Sequence, residues 1–304
     1  MPFFIAFIEL LGSCQLRSTR PTAEDFDAAA KFLVPRLHEG VRVVAAPEAY
    51  DPLVRKSLGK HLSRHQLAPL DLSRFETIYA VSVDGAFPRQ RFSGRPTVEG
   101  SFGPLVIYRW DRGAPSPVEL DLVSELRNAR VELHEGGRVR HCRLTRPRAM
   151  PMRFGLSAPP VPPAERFICD PRRPEYYVGE TIFEGVSHQP KRAIHQRPPS
   201  GASLHTIFTE IELSEMISLR SGLHMPFERN QTGAPYDLIV HFNGEEIGRM
   251  RHHDGYNVRE LRIDTVALKG QRGELRVETY TEDTKDRYLG WGGVIKKRAG
   301  GAKR

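Results

Sequence analysis

The run Arg251-His252-His253-Asp254-Gly255 is the densest stretch of chemically capable side chains in the chain. Two neighbouring histidines can share one metal only from a loop, because adjacent residues on a strand point to opposite faces. The run falls between two strand-like segments. It therefore reads as a metal-binding loop, as a loop that contacts a ligand, or as an ordinary turn. Tyr256 and Asn257 follow it, and Trp291 lies further on, beside Gly292 and Gly293. A flat aromatic next to amide and acid groups holds a sugar ring through apolar stacking and directed hydrogen bonds. The candidate ligand set is His252, His253, Asp254, Tyr256, Asn257 and Trp291, with Trp291 equally readable as core.

Other chemistry is poorly supported. Glycosidases need two carboxyl groups about 5–9 Å apart, and Glu210/Glu212 and Glu245/Glu246 are the available pairs. The second pair sits on a turn, where charge is the default, so no catalytic residue is assigned. The histidines His188, His195, His205 and His224 are too far apart in sequence to form a motif. There is no G-x-S-x-G elbow, H-E-x-x-H helix or Walker sequence, and the reading assigns no metal and no cofactor. The three cysteines, Cys14, Cys142 and Cys169, leave one unpaired if two bond. A Cys142–Cys169 bridge and free thiols in a reducing compartment are both open.

The elements that must position these residues fall into two regions. Residues 21–128 alternate helix and strand signals and predict a small Rossmann-like α/β domain. Thr22-Ala-Glu-Asp25 resembles a capping box ahead of apolar residues at helical spacing over 26–37. Residues 41–46 (VRVVAA) read as a buried strand, Asp51-Pro52 opens a helix running to about His65, and residues 77–83 and 105–110 read as further strands. A short helix is expected over 121–128.

Residues 129–298 predict an antiparallel β-sandwich of jelly-roll type, the α+β chain's second domain. Gly136-Gly137 and Asn243-Gly244 are hairpin turns flanked by alternating apolar residues. Leu238, Val240 and Phe242 share one strand face, as do Leu261 and Ile263, and Leu275 and Val277. Between these signals, residues 145–200 hold 11 prolines in 56 residues and read as an extended surface excursion or linker.

The net charge of +8 invites a nucleic-acid reading until its distribution is examined. Residues 138–197 carry 12 Lys/Arg against 5 Asp/Glu, and residues 296–304 carry 5 basic groups and no acid. The excess sits in the Pro-rich excursion and a tail (299–304 beyond the last strand), without the aromatic interleaving of a single-strand platform. A solvated loop and tail is the expected reading, and nucleic acid is not an expected partner. At the other end, residues 1–20 are apolar. Leu11-Gly12-Ser13-Cys14 resembles a lipobox, yet no basic residue precedes the run and Glu9 interrupts it. It reads as a buried strand or helix, or as an export or membrane segment; it is too short to span a bilayer alone.

Two resemblances follow. The run 240–248 (VHFNGEEIG), with 258–263 and Gly273-Glu-Leu-Arg-Val277, resembles the galactose-binding-like jelly roll of carbohydrate-binding modules. Residues 43–47 (VVAAP), 51–55 (DPLVR), 71–75 (DLSRF) and 102–109 (FGPLVIYR) are similar to the soluble part that follows the membrane core in bacterial transferases of the dolichyl-phosphate-mannose type. That chemistry lies in a membrane core this chain lacks, so the resemblance implies an extracytoplasmic accessory role and carries over no catalytic residue. The expected function is a non-catalytic binding or accessory protein that contacts glycans or a membrane-protein partner. The alternatives are a carbohydrate-active enzyme (glycosidase or esterase) and a structural subunit of a larger complex.

Overall fold

A computed structural model describes residues 20–69, 71–88, 92, 94–147, 162–184, 190–224, 228 and 233–298. The apolar N-terminal run and the last residues of the basic tail lie outside these. The chain divides into two units. The first holds the described residues up to Leu67 together with Phe75–Pro115; the second holds Ala68–Arg74 and the described residues from Ser116 onward. Residues 116–128, assigned to the first region by sequence pattern, thus belong to the second unit.

In the first unit, helix α1 (Ala23–Leu33) opens on a true capping box: the Thr22 hydroxyl accepts from the Asp25 N–H, and the Asp25 carboxylate accepts from the Thr22 N–H. Its buried residues Phe26, Ala29, Ala30 and Leu33 recur at helical spacing. Pro35, which has no N–H to donate, ends the α-helical run early. Helix α2 (Asp51–Leu58) begins where Pro52 predicts but stops at Leu58, and a separate short α3 (Arg64–Leu67) follows. The sheet has the order β1 (Val41–Ala46), β2 (Thr77–Val83), β4 (Leu105–Asp111), β3 (Thr97–Phe102). Parallel pairing holds for β1 and β2 alone, the pair connected through helices. Strands β3 and β4 are joined by a tight turn at Gly103-Pro104, which forces antiparallel pairing, and β4 is antiparallel to β2. The sheet is mixed, so the doubly wound pattern expected from the alternation of helix and strand does not extend past its first step.

The second unit is a two-sheet antiparallel sandwich. In chain order its strands are β5 (Val118–Asp121), β6 (Arg130–Glu135), β7 (Arg138–His141), β8 (Arg143–Thr145), β9 (Arg166–Ile168), β10 (Tyr177–Glu184) and β11 (Pro190–Gln196). They continue as β12 (Ser203–Glu212), β13 (Met216–Leu223), β14 (Tyr236–Phe242), β15 (Glu245–His252), β16 (Arg259–Asp264), β17 (Arg272–Thr281) and β18 (Leu289–Lys296). One sheet runs β16-β13-β18-β11-β10-β9-β8, with β5 also on β18; the other runs β15-β14-β17-β12-β6-β7. Leu238, Val240, Phe242, Leu275 and Val277 from the second sheet meet Phe167, Val178, Ile194, Ile217, Leu219 and Trp291 from the first in one core.

The hairpins form where glycine chemistry predicts. Gly136 and Gly137 have φ of 56° and 74°, and Asn243 and Gly244 have 50° and 88°. The Asn243 carboxamide also accepts from the Glu274 N–H at 2.9 Å. A Cβ on Gly273 would lie 2.0 Å from that oxygen, so the closing strand needs glycine there. The Pro-rich excursion is more than a surface linker: its described residues supply β9, β10 and β11 of the larger sheet. The expected helix over 121–128 is a 3-10 turn, Ser124–Asn128.

Residues counted above as a solvated tail are partly structural. Lys296 is buried in β18 and paired with the buried Asp71, while Lys297 and Arg298 pair with Glu119 and Asp264. Burial would raise the Asp71 carboxyl, but the Lys296 ammonium and the Ser73 N–H together outweigh it and hold the group below its ordinary range. This pair, with the Ser116 N–H to Ser73 carbonyl bond at 3.0 Å, fastens Ala68–Arg74 to the sandwich. Among the described residues no helix is long and apolar enough to cross a membrane.

Candidate functional site

Residues 253–257 form a loop and His252 ends β15, but most polar groups of the run are spent on the protein itself. His252 closes β15 opposite Tyr236, which turns it inward. It is fully buried, its ring stacks on Tyr236 with centroids 4.9 Å apart, and its Nε2 lies 3.0 Å from a carboxylate oxygen of buried Glu228. Glu228 also accepts from the Asn257 N–H, whose residue sits in the left-handed region at φ 58°. Asp254 forks to Arg287, with Oδ2 at 2.9 Å from Nη2, and accepts from the Gly233 N–H at 3.2 Å. Gly233 is required there, since a Cβ would fall 1.0 Å from the guanidinium. Of the six candidate residues, His253 and Tyr256 remain exposed, ring against ring at 5.5 Å, with the Arg259 guanidinium 5.2 Å from Tyr256.

Trp291 is not at this edge. It is fully buried, faces Phe208 edge-on at 6.5 Å, and donates its Nε1 hydrogen to the Gln196 side-chain oxygen at 2.9 Å. The same oxygen accepts from the Thr206 hydroxyl at 2.7 Å, and the Gln196 amide donates to the Leu204 carbonyl at 2.7 Å. The glycines beside Trp291 mark a buried strand, not a stacking platform.

A cavity of about 540 Å³ opens elsewhere on the sandwich unit, over β8 and β9. Pro147, Ile168, Pro171 and Pro174 form its apolar wall with Cys169, and His141, Arg143 and Thr145 supply polar groups. Cys142 and Cys169 are disulfide-bonded, with Cα atoms 3.9 Å apart and a sequence separation of 27. The bond ties the start of β8 to the end of β9, whose ladder runs Arg143 opposite Ile168 and Thr145 opposite Arg166. Below it, Arg140 and Arg173 each reach Asp170 and Glu135. Hydrogen bonding from the Arg173 guanidinium holds the Glu135 carboxyl below its ordinary range, and the Arg172 backbone N–H does the same for Asp170. A disulfide and a four-member ion network thus brace one wall of an open, mostly apolar hollow.

The outer face of the smaller sheet collects a third group that sequence spacing hides. His134 and His205 stack at 3.8 Å, His241 lies 3.3 Å from Glu278, and His141 lies 3.4 Å from Glu132. Burial, with His134 adding to it, pushes His205 down to about 3. Strand pairing alone brings these residues together, from five strands and up to 146 positions of sequence. Among the described residues no group of three His, Cys, Asp or Glu side chains is arranged to hold a metal ion. The carboxylate pairs fare no better as a catalytic set: Glu246 forks to Arg249 and Glu212 to Arg272.

No family model and no curated protein matches the sequence. Solved structures that align to it include carbohydrate-binding modules. The CBM51-2 and INT domains of Clostridium perfringens ZmpB with GlcNAc align at 8% identity and a TM-score of 0.30, over 39% of this chain and 26% of that one. The CBM51 module of Clostridium perfringens GH95 with methyl-galactose aligns at 6% identity and 0.29, over 38% and 81%. TmCBM27, described by its specific mannan recognition, aligns at 14% identity and 0.27, over 40% and 83%.

Proposed function

We propose that the chain is a non-catalytic binding or accessory protein whose sandwich unit holds glycans in the cavity over β8 and β9. The observation that carries this reading is the lining: prolines and Ile168 offer flat apolar surface, while His141, Arg143 and Thr145 offer directed polar groups. Sugar rings need both at once. The wall is braced by the Cys142–Cys169 bond, so the binding shape is present before the ligand arrives. A formed disulfide suits an oxidising, extracytoplasmic compartment. An accessory role beside a membrane enzyme is part of the same reading and follows from the resemblance of residues 40–110.

The test is a glycan array with the full chain, followed by Thr145→Trp and Tyr256→Ala variants. Retention of a defined set of glycans, lost when Trp fills the cavity and kept when Tyr256 is truncated, supports the reading. Loss with Tyr256→Ala alone would return the site to the His253–Tyr256 edge. An array on which the parent chain retains nothing would favour a structural subunit.

A further inference from the structure

A buried cation of the sandwich unit, Arg166, has no acidic partner among the described residues. Arg166, on β9, is 2% exposed. Its Nη1 donates to the Pro163 carbonyl at 2.7 Å, whereas Nε and Nη2 are buried and have no hydrogen-bond partner among the described residues. Nearby carboxylates are already engaged: Glu165 with Arg127 and Arg146, Glu180 with Arg192, Asp170 with Arg140 and Arg173. The guanidinium lies instead 5.3 Å from the ring of Tyr177, whose hydroxyl burial pushes up and so keeps neutral. Burial draws Arg166 below its ordinary pKa, yet a guanidinium stays charged throughout the physiological range. A buried charge without a counter-ion is expensive, by several kcal/mol.

Strand geometry places this charge beside the cavity. Residues opposite each other in an antiparallel pair share a face, as do residues two apart on one strand. Thr145 is opposite Arg166 and Ile168 is two residues along, and both line the cavity. Arg143, opposite Ile168, lines it as well; it is exposed and has no acidic partner among the described residues. A charged rim over an apolar wall with a second, desolvated cation adjoining it focuses a positive field on one opening.

We propose that this cavity takes a sugar bearing a negative charge, a uronate carboxylate or a sulfate ester, paired to Arg143 and drawn in by the uncompensated charge of Arg166. The proposal rests on the glycan-binding reading above and adds its ligand class. Charge-assisted bonds from a guanidinium fork suit either group.

Titration calorimetry of the full chain against a galacturonate trimer, a sulfated galactose trimer and neutral galactotriose tests it. At least one anionic trimer binds about tenfold or more tightly than the neutral one, and the gap narrows as salt rises from about 50 to about 300 mM. Which anionic trimer wins names the source of the charge. Arg143→Ala, at an exposed position, erases most of the gap with the melting temperature unchanged, and Arg166→Met lowers anionic affinity in any preparation that melts cooperatively. Equal affinity for charged and neutral trimers overturns the proposal and leaves the glycan reading standing. An anionic preference that survives in Arg143→Ala and folded Arg166→Met also overturns it. If no trimer binds, the proposal is overturned, and the glycan array alone decides the broader reading.

Discussion

The His252–Asn257 loop and the β8–β9 cavity invert what their sequences advertise. The loop is dense in His, Asp, Tyr and Asn, yet His252 is committed to Glu228 and Asp254 to Arg287. The cavity is built from prolines and three-residue strands, yet there Arg143 and Thr145 border open space. A binding site requires polar groups left over after the fold is satisfied, and local density does not report what is left over. A buried polar group must be paired, so a compact polar run in a small loop is consumed first.

That contrast can be broken by substitution. The largest effect is expected for Asp254→Ala, which strands the buried Arg287 guanidinium and costs about 3–5 kcal/mol, read by chemical denaturation. Exposure of Asp254 would have made the same change nearly silent; burial reverses that expectation. A loss under about 0.5 kcal/mol would show that the pair is not formed.

Next comes the cavity's own brace. Cys142→Ser removes a cross-link of 27 residues' separation and should cost about 3 kcal/mol in the chain-entropy model. Glycan retention should fall with it, whereas Asp254→Ala, assayed well below its melting temperature, should spare retention. Equal loss of binding in both variants would place the site nearer the loop than proposed.

Acid gives a graded test of the buried histidines. Burial pushes His195 and His205 each down to about 3. Their folded pKa is below the unfolded value of about 6.5, so the unfolded chain binds the extra protons. Stability is therefore full above about 6.5 and declines as pH falls toward about 3, by at most about 1.4 kcal/mol per pH unit for each ring. His205→Gln should flatten that slope, and an unchanged slope in this variant would mean the ring is already protonated in the fold. Smallest of all is Tyr256→Ala. At 53% exposure it should shift stability by under about 0.5 kcal/mol and leave glycan retention unaltered.

Much of the sandwich was legible because its signals are local. Gly136-Gly137 and Asn243-Gly244 need only neighbouring residues to set positive φ, and the alternation of Leu238, Val240 and Phe242 declares its face within one strand. The capping box at Thr22 is equally local. What stayed hidden depends on distant partners: Glu228 and Arg287 lie 24 and 33 residues from the groups they capture. Strands β8 and β9, at three residues each, are too short for alternation to register among the prolines. Arg166 looked like one more solvated charge, because burial is not a property of a residue's neighbours in sequence. For Trp291, the consecutive apolar residues Val294 and Ile295 were a usable clue to a strand buried along its whole length, outweighed by the flanking glycines.

The Gln196 side chain, which accepts from Trp291 on its own sheet and joins Thr206 and Leu204 on the other, gives the sandwich something that side-chain volume cannot. Two greasy faces can slip past each other by one residue pair and find nearly equal contacts, so packing alone leaves several alignments close in energy. A carboxamide at the interface behaves like a key in a slot: any offset leaves an indole N–H, a hydroxyl or an amide unpaired in a dry interior. The sheets therefore have one alignment that pairs the Trp291, Thr206 and Gln196 donors together. Gln196→Leu should keep the core filled yet strand the Trp291 Nε1 hydrogen, the Thr206 hydroxyl and the Leu204 carbonyl, so the melting temperature should fall and amide exchange in β11 and β12 should quicken.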